Sequence, residues 1–482
     1  MNNTADLEPV LVTGAGGFVG GYLVRYLHHY GIKVRAMVRS AAKASDLSAL
    51  GIEVVEADLL RPETLENAVK GCNSVIHIAA LFRQAGLPDS VYRAVNAEAT
   101  RILLDLSVAL NIRRFIHCST VGVHSHIENP PGDETTPYAP ADIYQITKME
   151  GEKIALEYFN SGKISGLVIR PAMIYGPGDQ RTLKLFKSIS KGRFFFVGKG
   201  EVHVHFIDVR DLVRAFARAW TRIDINSEVF IIAGRESVPL KEAVRRISLF
   251  CGVAMPRMRI PVKPLQLLGD ICEAICTPFK INPPIYRRRV DFFTKNRHFD
   301  NSKAKNVLGF MPAMHFDQEL REIIDWYSLH GYLPLLGDKK QIAKECEKLQ
   351  PEHIAVHPFN ISAELVREIT SNYLSSEHAS AAASVIVRHL DGTIIYWNHG
   401  SENIYGWSRY EAEGRISHHI LQTVYEEPLR EVNNKLLANK KCDLSLVHTN
   451  KDGKTLQVRS TWEIMPNNNL TLVVETNNLL VT

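Results

Sequence analysis

The sequence predicts an α/β chain: a doubly wound parallel sheet with a small mixed lobe, followed by a separate α+β domain. Three observations carry this. Apolar strand-like runs alternate with helix-like segments from the start to about residue 235. The stretch "VLVTGAGGFVGGYL" joins the first run to the first helix through a glycine-rich turn. After about residue 375 the texture changes to paired strands closed by Asp-Gly turns.

The elements follow in order. "PVLVTG" leads into the helical "FVGGYLVRYLHHYG", then come "KVRAMVR", "IEVVEAD", the helix "PETLENAVKG" and "SVIHIAA". A further helix, "VNAEATRILLDLSVALN", precedes "RRFIHCST". Such βαβ alternation implies parallel strands with helices on both faces. "SGLVIRPAMIYGPGD", "EVHVHFIDVRDLVRAFARAW" and "EVFIIAG" then mix strands and helices, and residues 236–335 are more helical and Pro-punctuated, as a smaller lobe would be. The expected domains are therefore 1–335 and 375–482, joined by a polar linker or connecting helix over 336–374. In the second domain "ASVIVRHLDGTIIYWN" reads as a hairpin, "SLVHTNKDGKTLQVRSTWEIM" repeats the pattern and "NNNLTLVVETNN" adds a strand.

Composition narrows the function classes. At 482 residues the chain exceeds one compact core, and its net charge of +5 is mild for that length. The one dense basic run, Arg287 to Arg289, is the size of a solvated face, so nucleic acid is not an expected partner. The seven cysteines are scattered, and Cys272 with Cys276 has no second ligand pair of matching spacing. No metal is expected, and free thiols suit a reducing compartment. The N-terminus lacks a basic region followed by an apolar run, and no uncharged apolar stretch reaches the roughly 18 residues of a membrane span. A cytoplasmic protein with no integral membrane segment is the expectation.

The glycines of the turn, Gly14, Gly17 and Gly20, sit between a strand and a helix within a βαβ unit. The first permits a tight bend, the second lets backbone approach a pyrophosphate, and the third lets helix and strand pack closely. Gly16, Phe18 and Val19 complete the predicted dinucleotide cradle, whose helix N-terminus favours an anion. Where the second strand ends, an acidic residue would accept from a ribose hydroxyl; Arg39 stands there instead, with Lys43 nearby. An arginine accommodates a 2′-phosphate, which predicts NADP, with NAD as the alternative. In "ADIYQITKME", Tyr144 and Lys148 lie one helical turn apart and share a face, so the ammonium can favour a phenolate.

Over about 335 residues the chain resembles the extended short-chain dehydrogenase/reductases, the NAD(P)-dependent epimerase/dehydratase superfamily. The motifs are "TGAGGFVG", "EADL" (Asp58, Leu59), "HIAA" (Ala79, Ala80), "VN" (Asn96), "CST", "YQITK" and "RPAMIYGPGD". The resemblance implies a Rossmann-type domain in which Tyr144 is the general acid/base and Lys148 holds the nicotinamide ribose while lowering the tyrosine pKa. It implies a substrate-polarising hydroxyl at Thr120, with Ser119 as the alternative. Asp58 and Leu59 would approach the adenine, Ala79, Ala80 and Asn96 would line the cofactor, and Pro171, Met173 and Ile174 would pack by the nicotinamide.

Three departures from the family pattern refine this. His77 stands where small or apolar residues are common, a packing variation. Ala172 and Met173 replace an asparagine, and His203 and His205 replace an arginine, of the nucleotide-sugar enzymes. The chain is therefore more similar to the 3β-hydroxysteroid dehydrogenase/dihydroflavonol reductase branch, which implies alcohol–carbonyl chemistry on a small, apolar substrate. The apolar stretch "PLQLLGDICEAICTPF" fits a substrate pocket or an ordinary buried helix, with a membrane-docking face as the more distant reading. Val121 and Gly122 occupy the place of the Asp-Glu pair of dehydratases, which disfavours dehydration. Two alternatives stay open: a sugar epimerase with internal redox cycling, and a dinucleotide-binding redox sensor without turnover.

The stretch "DGTIIYWNHGSENIYGWSRYEAEGR" resembles a PAS domain. This implies a sensory or dimerising module, a homodimer, and a signalling partner or the reductase itself as receiver. Its ligand is unassigned: Cys442 lies outside any flavin-adduct motif, and His418 and His419 are weak candidates for haem.

Overall fold

The computed structural model describes residues 5–84, 86–276, 287–334, 383–390, 392–427, 429–467 and 470–480. The chain forms two compact units, Met1–Glu319 and Leu320–Thr482.

In the first unit seven strands make one parallel sheet. They are β1 (Val10–Thr13), β2 (Val34–Val38), β3 (Glu53–Glu56), β4 (Ser74–His77), β5 (Arg114–Cys118), β6 (Gly166–Pro171) and the strand Glu228–Ile232. From one edge the order is Glu228–Ile232, β6, β5, β4, β1, β2, β3. The chain walks outward from β1 to β3, then returns to place β4 on the other side of β1. This reversal opens a crevice beyond the carboxyl ends of β1 and β4, the place where such sheets bind ligands.

Helix Phe18–His29 packs with Val209–Thr221, and helix Ala99–Ala109 packs with Ile143–Asn160. β1, β4 and β5 are buried along their whole length, as strands covered on both faces must be. Leu11, Val75, Phe115 and Val168 of the sheet close against Leu103, Leu104, Ile154 and Phe159 of the helices.

The lobe beside the sheet takes residues from both before and after its last strand. Strand His203–Asp208 pairs in parallel with Met173–Tyr175 and antiparallel with Ser237–Pro239. Helix Val262–Cys276 carries most of the apolar stretch noted in the sequence, and it does not bury that face: Leu267 is 61% exposed, and Leu268 and Ile271 are exposed too. The last residues of that stretch, 277–279, lie outside the described residues.

The second unit is an antiparallel sheet of six strands. Their order is Ile394–Trp397, Ser384–His389, Leu470–Leu479, Thr455–Asn467, Lys441–Thr449 and Val424–Tyr425. Asn398 ties the first hairpin to the next helix: its Oδ1 accepts from Ser401 N (2.8 Å) and Val385 N (2.9 Å), and its Nδ2 donates to Ala383 O (3.0 Å). A buried Arg388–Glu475 ion pair crosses the sheet, with the guanidinium 4.3 Å from the centroid of the buried Trp462 ring. Such a pair tolerates burial because both charges are matched in place. His418 and His419 lie half-buried on the short helix Ser417–Ile420. The expected connecting segment 336–374 lies outside the described residues. Among the described residues no helix is long and apolar enough to cross a membrane, and no group of three or more His, Cys, Asp or Glu could hold a metal.

Candidate active site

The site grows from the turn after β1. Gly14 has φ +72°, and a Cβ there would lie 3.0 Å from the backbone of Ala79. A Cβ at Gly20 would run into the carbonyl oxygen of Gly14. These two glycines let the turn fold beneath the end of β4, while Gly16 and Gly17 stay exposed at its rim and Phe18 and Val19 begin the helix. No side chain caps that helix N-terminus, so its first N–H groups have no capping acceptor.

A chain of hydrogen bonds fixes the neighbouring loop. Thr13 Oγ1 accepts from the backbone N–H of Ile78 and of Ala79, both at 3.1 Å, so its own proton goes to His77 Nδ1 at 2.8 Å. The ring therefore donates from Nε2 to Thr100 Oγ1 (3.2 Å), which in turn donates to the Asn96 carbonyl (3.1 Å). The Asn96 amide accepts from Leu81 N (2.8 Å) and donates to Thr147 Oγ1 (3.0 Å) on helix Ile143–Asn160. Burial pushes His77 down to about 3, so it stays neutral and the bond directions hold across the physiological range. The variation at His77 is thus a hydrogen-bonding hub rather than a packing change. The signal lay in Thr13, His77 and Thr100, polar residues inside segments otherwise read as core.

At the end of β2, Arg39 is exposed. Lys43 lies close by and helps line a cavity of about 80 Å³ with Gly16, Gly17, Arg25 and Asp46. Asp58 is half-buried in the turn after β3, where its Oδ1 accepts from Leu60 N (3.0 Å), and Leu59 is buried beside it. Ala79 is half-buried and Ala80 exposed at the end of β4.

Helix Ile143–Asn160 begins at Asp142, whose Oδ1 accepts from Gln145 N (2.9 Å), while Gln145 Oε1 accepts from Ala141 N (2.7 Å). This double cap holds Tyr144 in the first turn. The Tyr144 ring is half-buried, meets Phe82 edge-on at 5.0 Å and lies beneath the Arg83 guanidinium at 5.4 Å. Burial pushes its phenol up to about 12, opposed chiefly by Arg83 and Arg181. Lys148 is buried and its ammonium donates to the Cys118 carbonyl at 2.6 Å; burial lowers its pKa. Arg83 and Arg181, outside the Tyr-Lys motif, thus oppose the rise at the phenol, and Lys148 braces the helix against the end of β5.

The two hydroxyls of "CST" separate clearly. Ser119 is buried and donates to Glu152, which also accepts from Tyr138 (2.7 Å) and Arg170 (2.5 Å) in a closed interior network. Thr120 is half-buried, and its Oγ1 accepts from Gly122 N (3.0 Å), which leaves its O–H to donate. Pro171 ends β6 in the core, and Met173 and Ile174 are half-buried on the following short strand.

Residues 10–233 match the family model described as the NAD dependent epimerase/dehydratase family. That segment belongs to this family. The chain is 29% identical over 341 residues to a Mycobacterium tuberculosis 3 beta-hydroxysteroid dehydrogenase/Delta 5-->4-isomerase, covering 67% of this chain and 91% of that protein. It is 28% identical over 329 residues to a 2-alkyl-3-oxoalkanoate reductase of Stenotrophomonas maltophilia, covering 65% and 98%. Among solved structures, gox2253 is 27% identical with a TM-score of 0.58, covering 67% of this chain and 99% of that one. The N-terminal unit is accordingly an enzyme of the extended short-chain dehydrogenase/reductase type. Its residues suit the family's dinucleotide: the Gly14–Gly20 cradle admits no side chain at its two tight points, and the uncapped helix beyond it offers N–H groups to a pyrophosphate.

Proposed function

We propose that the enzyme interconverts an alcohol and a carbonyl on a small substrate with an apolar body, using NADP, and that Tyr144 moves the proton. The observation that carries this is that Lys148, one turn on from Tyr144, bonds the Cys118 carbonyl two residues before Thr120, whose Oγ1 accepts from Gly122 N and keeps its O–H to donate. The bound nicotinamide supplies or accepts the hydride. Thr120 donates to the substrate oxygen, and Tyr144, protonated at neutral pH, gives its proton to that oxygen as it gains charge. Lys148 and Asn96 keep the helix at its place on β5, and Met173, Ile174 and Phe82 supply apolar contact. The 3-oxoalkanoate reductase among the relatives supports carbonyl reduction.

Net oxidation of NADPH by a ketone, followed at the nicotinamide absorbance, tests the reading. Interconversion of isomers with no net oxidation would instead mark an epimerase. Thr120→Val is expected to lower kcat by about 10²-fold with KM for NADPH unchanged, the scale for loss of one donor to a developing oxyanion.

The NADP preference rests on Arg39 and Lys43 beside the turn, with no acidic residue at the end of β2. Arg39→Ala is expected to raise KM for NADPH about tenfold and to leave KM for NADH within twofold, because the guanidinium faces only the extra phosphate. Equal changes for both cofactors would reject the assignment.

We infer that the second unit is a PAS module that regulates or dimerises the enzyme. Its strand order supports this: the second strand lies at one edge beside the first, and the last strand lies next to the first inside the sheet. An open hollow of about 740 Å³, lined by Lys435, Asp443 and Arg459 among others, offers space for a small polar ligand.

A further inference from the structure

The mouth of the site holds more guanidinium groups than dinucleotide binding or proton transfer requires. The ring of Phe82, 45% exposed, has the guanidinium groups of both Arg83 and Arg181 against it, with Cζ atoms 5.5 and 5.8 Å from its centroid. Arg83 pairs with Asp142 (2.8 Å) and Arg181 with Asp179 (3.0 Å). A third arginine, Arg297, comes from the segment after helix Arg287–Thr294.

That segment is pinned to the loop following Thr120. Lys295 Nζ donates to Ser125 Oγ (2.8 Å), the Asn296 carbonyl accepts from Ile127 N (3.0 Å), and Arg297 N donates to the His203 carbonyl (3.0 Å). The Arg297 guanidinium is within electrostatic reach of Arg83, which repels it, and of Asp291, which Lys295 already takes at 3.2 Å. Its Nη1 is enclosed and has no hydrogen-bond partner among the described residues. Burial lowers its pKa to about 10. Arg297 as a whole is half-buried, so its one enclosed, unpartnered Nη1 is a donor held ready at a partly open position, where a guanidinium matches the fork of a carboxylate or phosphate.

We propose that the substrate carries an anionic group, a carboxylate or a phosphate ester, and that Arg297 binds it together with Arg83 while the reacting carbonyl faces Tyr144. Placing the anion on a substrate rests on the oxidoreductase reading; the affinity for the anion itself does not. Arg83, stacked over Tyr144, links the two ends: an anion held there sets how far the carbonyl reaches toward the phenol.

The test uses the full chain with saturating NADPH, so that the dinucleotide's own anion sites are filled. Benzoate, phenyl phosphate and neutral benzamide are titrated separately, with NADPH fluorescence as the readout. One of the two anions is expected to bind at least tenfold tighter than benzamide, and the tighter one distinguishes carboxylate from phosphate. Arg297→Gln should abolish that advantage, Arg297→Lys should keep part of it, and benzamide should bind all three proteins alike. The thermal midpoint of Arg297→Gln should not fall, because no partner is lost. An unchanged anion preference in Arg297→Gln, or none in the wild type, overturns the proposal. A lower midpoint with equal losses for anions and benzamide overturns it in favour of a packing role. Anion preference without net NADPH oxidation by any ketone would reject the oxidoreductase reading alone.

Discussion

Tyr144→Phe is expected to lower kcat for carbonyl reduction by about 10²–10⁴-fold, with NADPH binding unchanged, the range for removing a positioned proton donor. The ring keeps its shape, so its contacts with Phe82 and Arg83 survive and only the transferable proton is lost. Single-turnover kinetics with NADPH prebound separates the two quantities. Loss of NADPH affinity in parallel with turnover would show that the phenol holds the cofactor rather than the reacting oxygen. Lys148→Ala is a poorer probe, because it also removes the bond to the Cys118 carbonyl that fixes the helix.

Glu152→Ala is expected to destabilise the N-terminal unit by about 3–5 kcal/mol, the range for stranding one member of a buried ion pair. Glu152 is fully buried and joins Arg170, Tyr138 and Ser119 across helix Ile143–Asn160, β6 and the segment between β5 and that helix. Without it the Arg170 guanidinium keeps His124 Nε2 (3.1 Å), the Tyr138 hydroxyl (3.1 Å) and the Glu134 carbonyl (3.2 Å) but loses the carboxylate that pairs with it directly. Urea denaturation of the full chain, read as the first transition, measures the loss. A change under 1 kcal/mol would mean that water enters and replaces the carboxylate.

Much of this site was legible in the sequence because its residues come in contiguous motifs. The turn from Gly14 to Gly20, the Tyr144–Lys148 spacing and the parallel alternation each have a local signature that the backbone geometry requires. What stayed hidden comes from residues far apart in the chain. Ser119 and Thr120 are adjacent hydroxyls that sequence reading could rank but not separate, and Glu152, 33 positions from Ser119, divides them. Arg83, Arg181 and Arg297 follow no shared spacing, and only the fold gathers the first two around Phe82 and brings the third within reach of Arg83. His77 looked like a core variation because its partners, Thr13 and Thr100, lie on other elements. Helix Val262–Cys276 shows the opposite failure, since its apolar pattern suggested burial and the fold leaves Leu267, Leu268 and Ile271 exposed.

The most direct test follows the hydride itself. NADPH carrying deuterium at nicotinamide C4 is incubated with the full chain and a panel of ketones bearing carboxylate, phosphate or no charge, and products are analysed by mass spectrometry. The account predicts stoichiometric NADP formation and deuterium on the new carbinol carbon, both slowed by about 10²–10⁴-fold in Tyr144→Phe. Isomerised substrate with the dinucleotide retained and no deuterium transferred would contradict it.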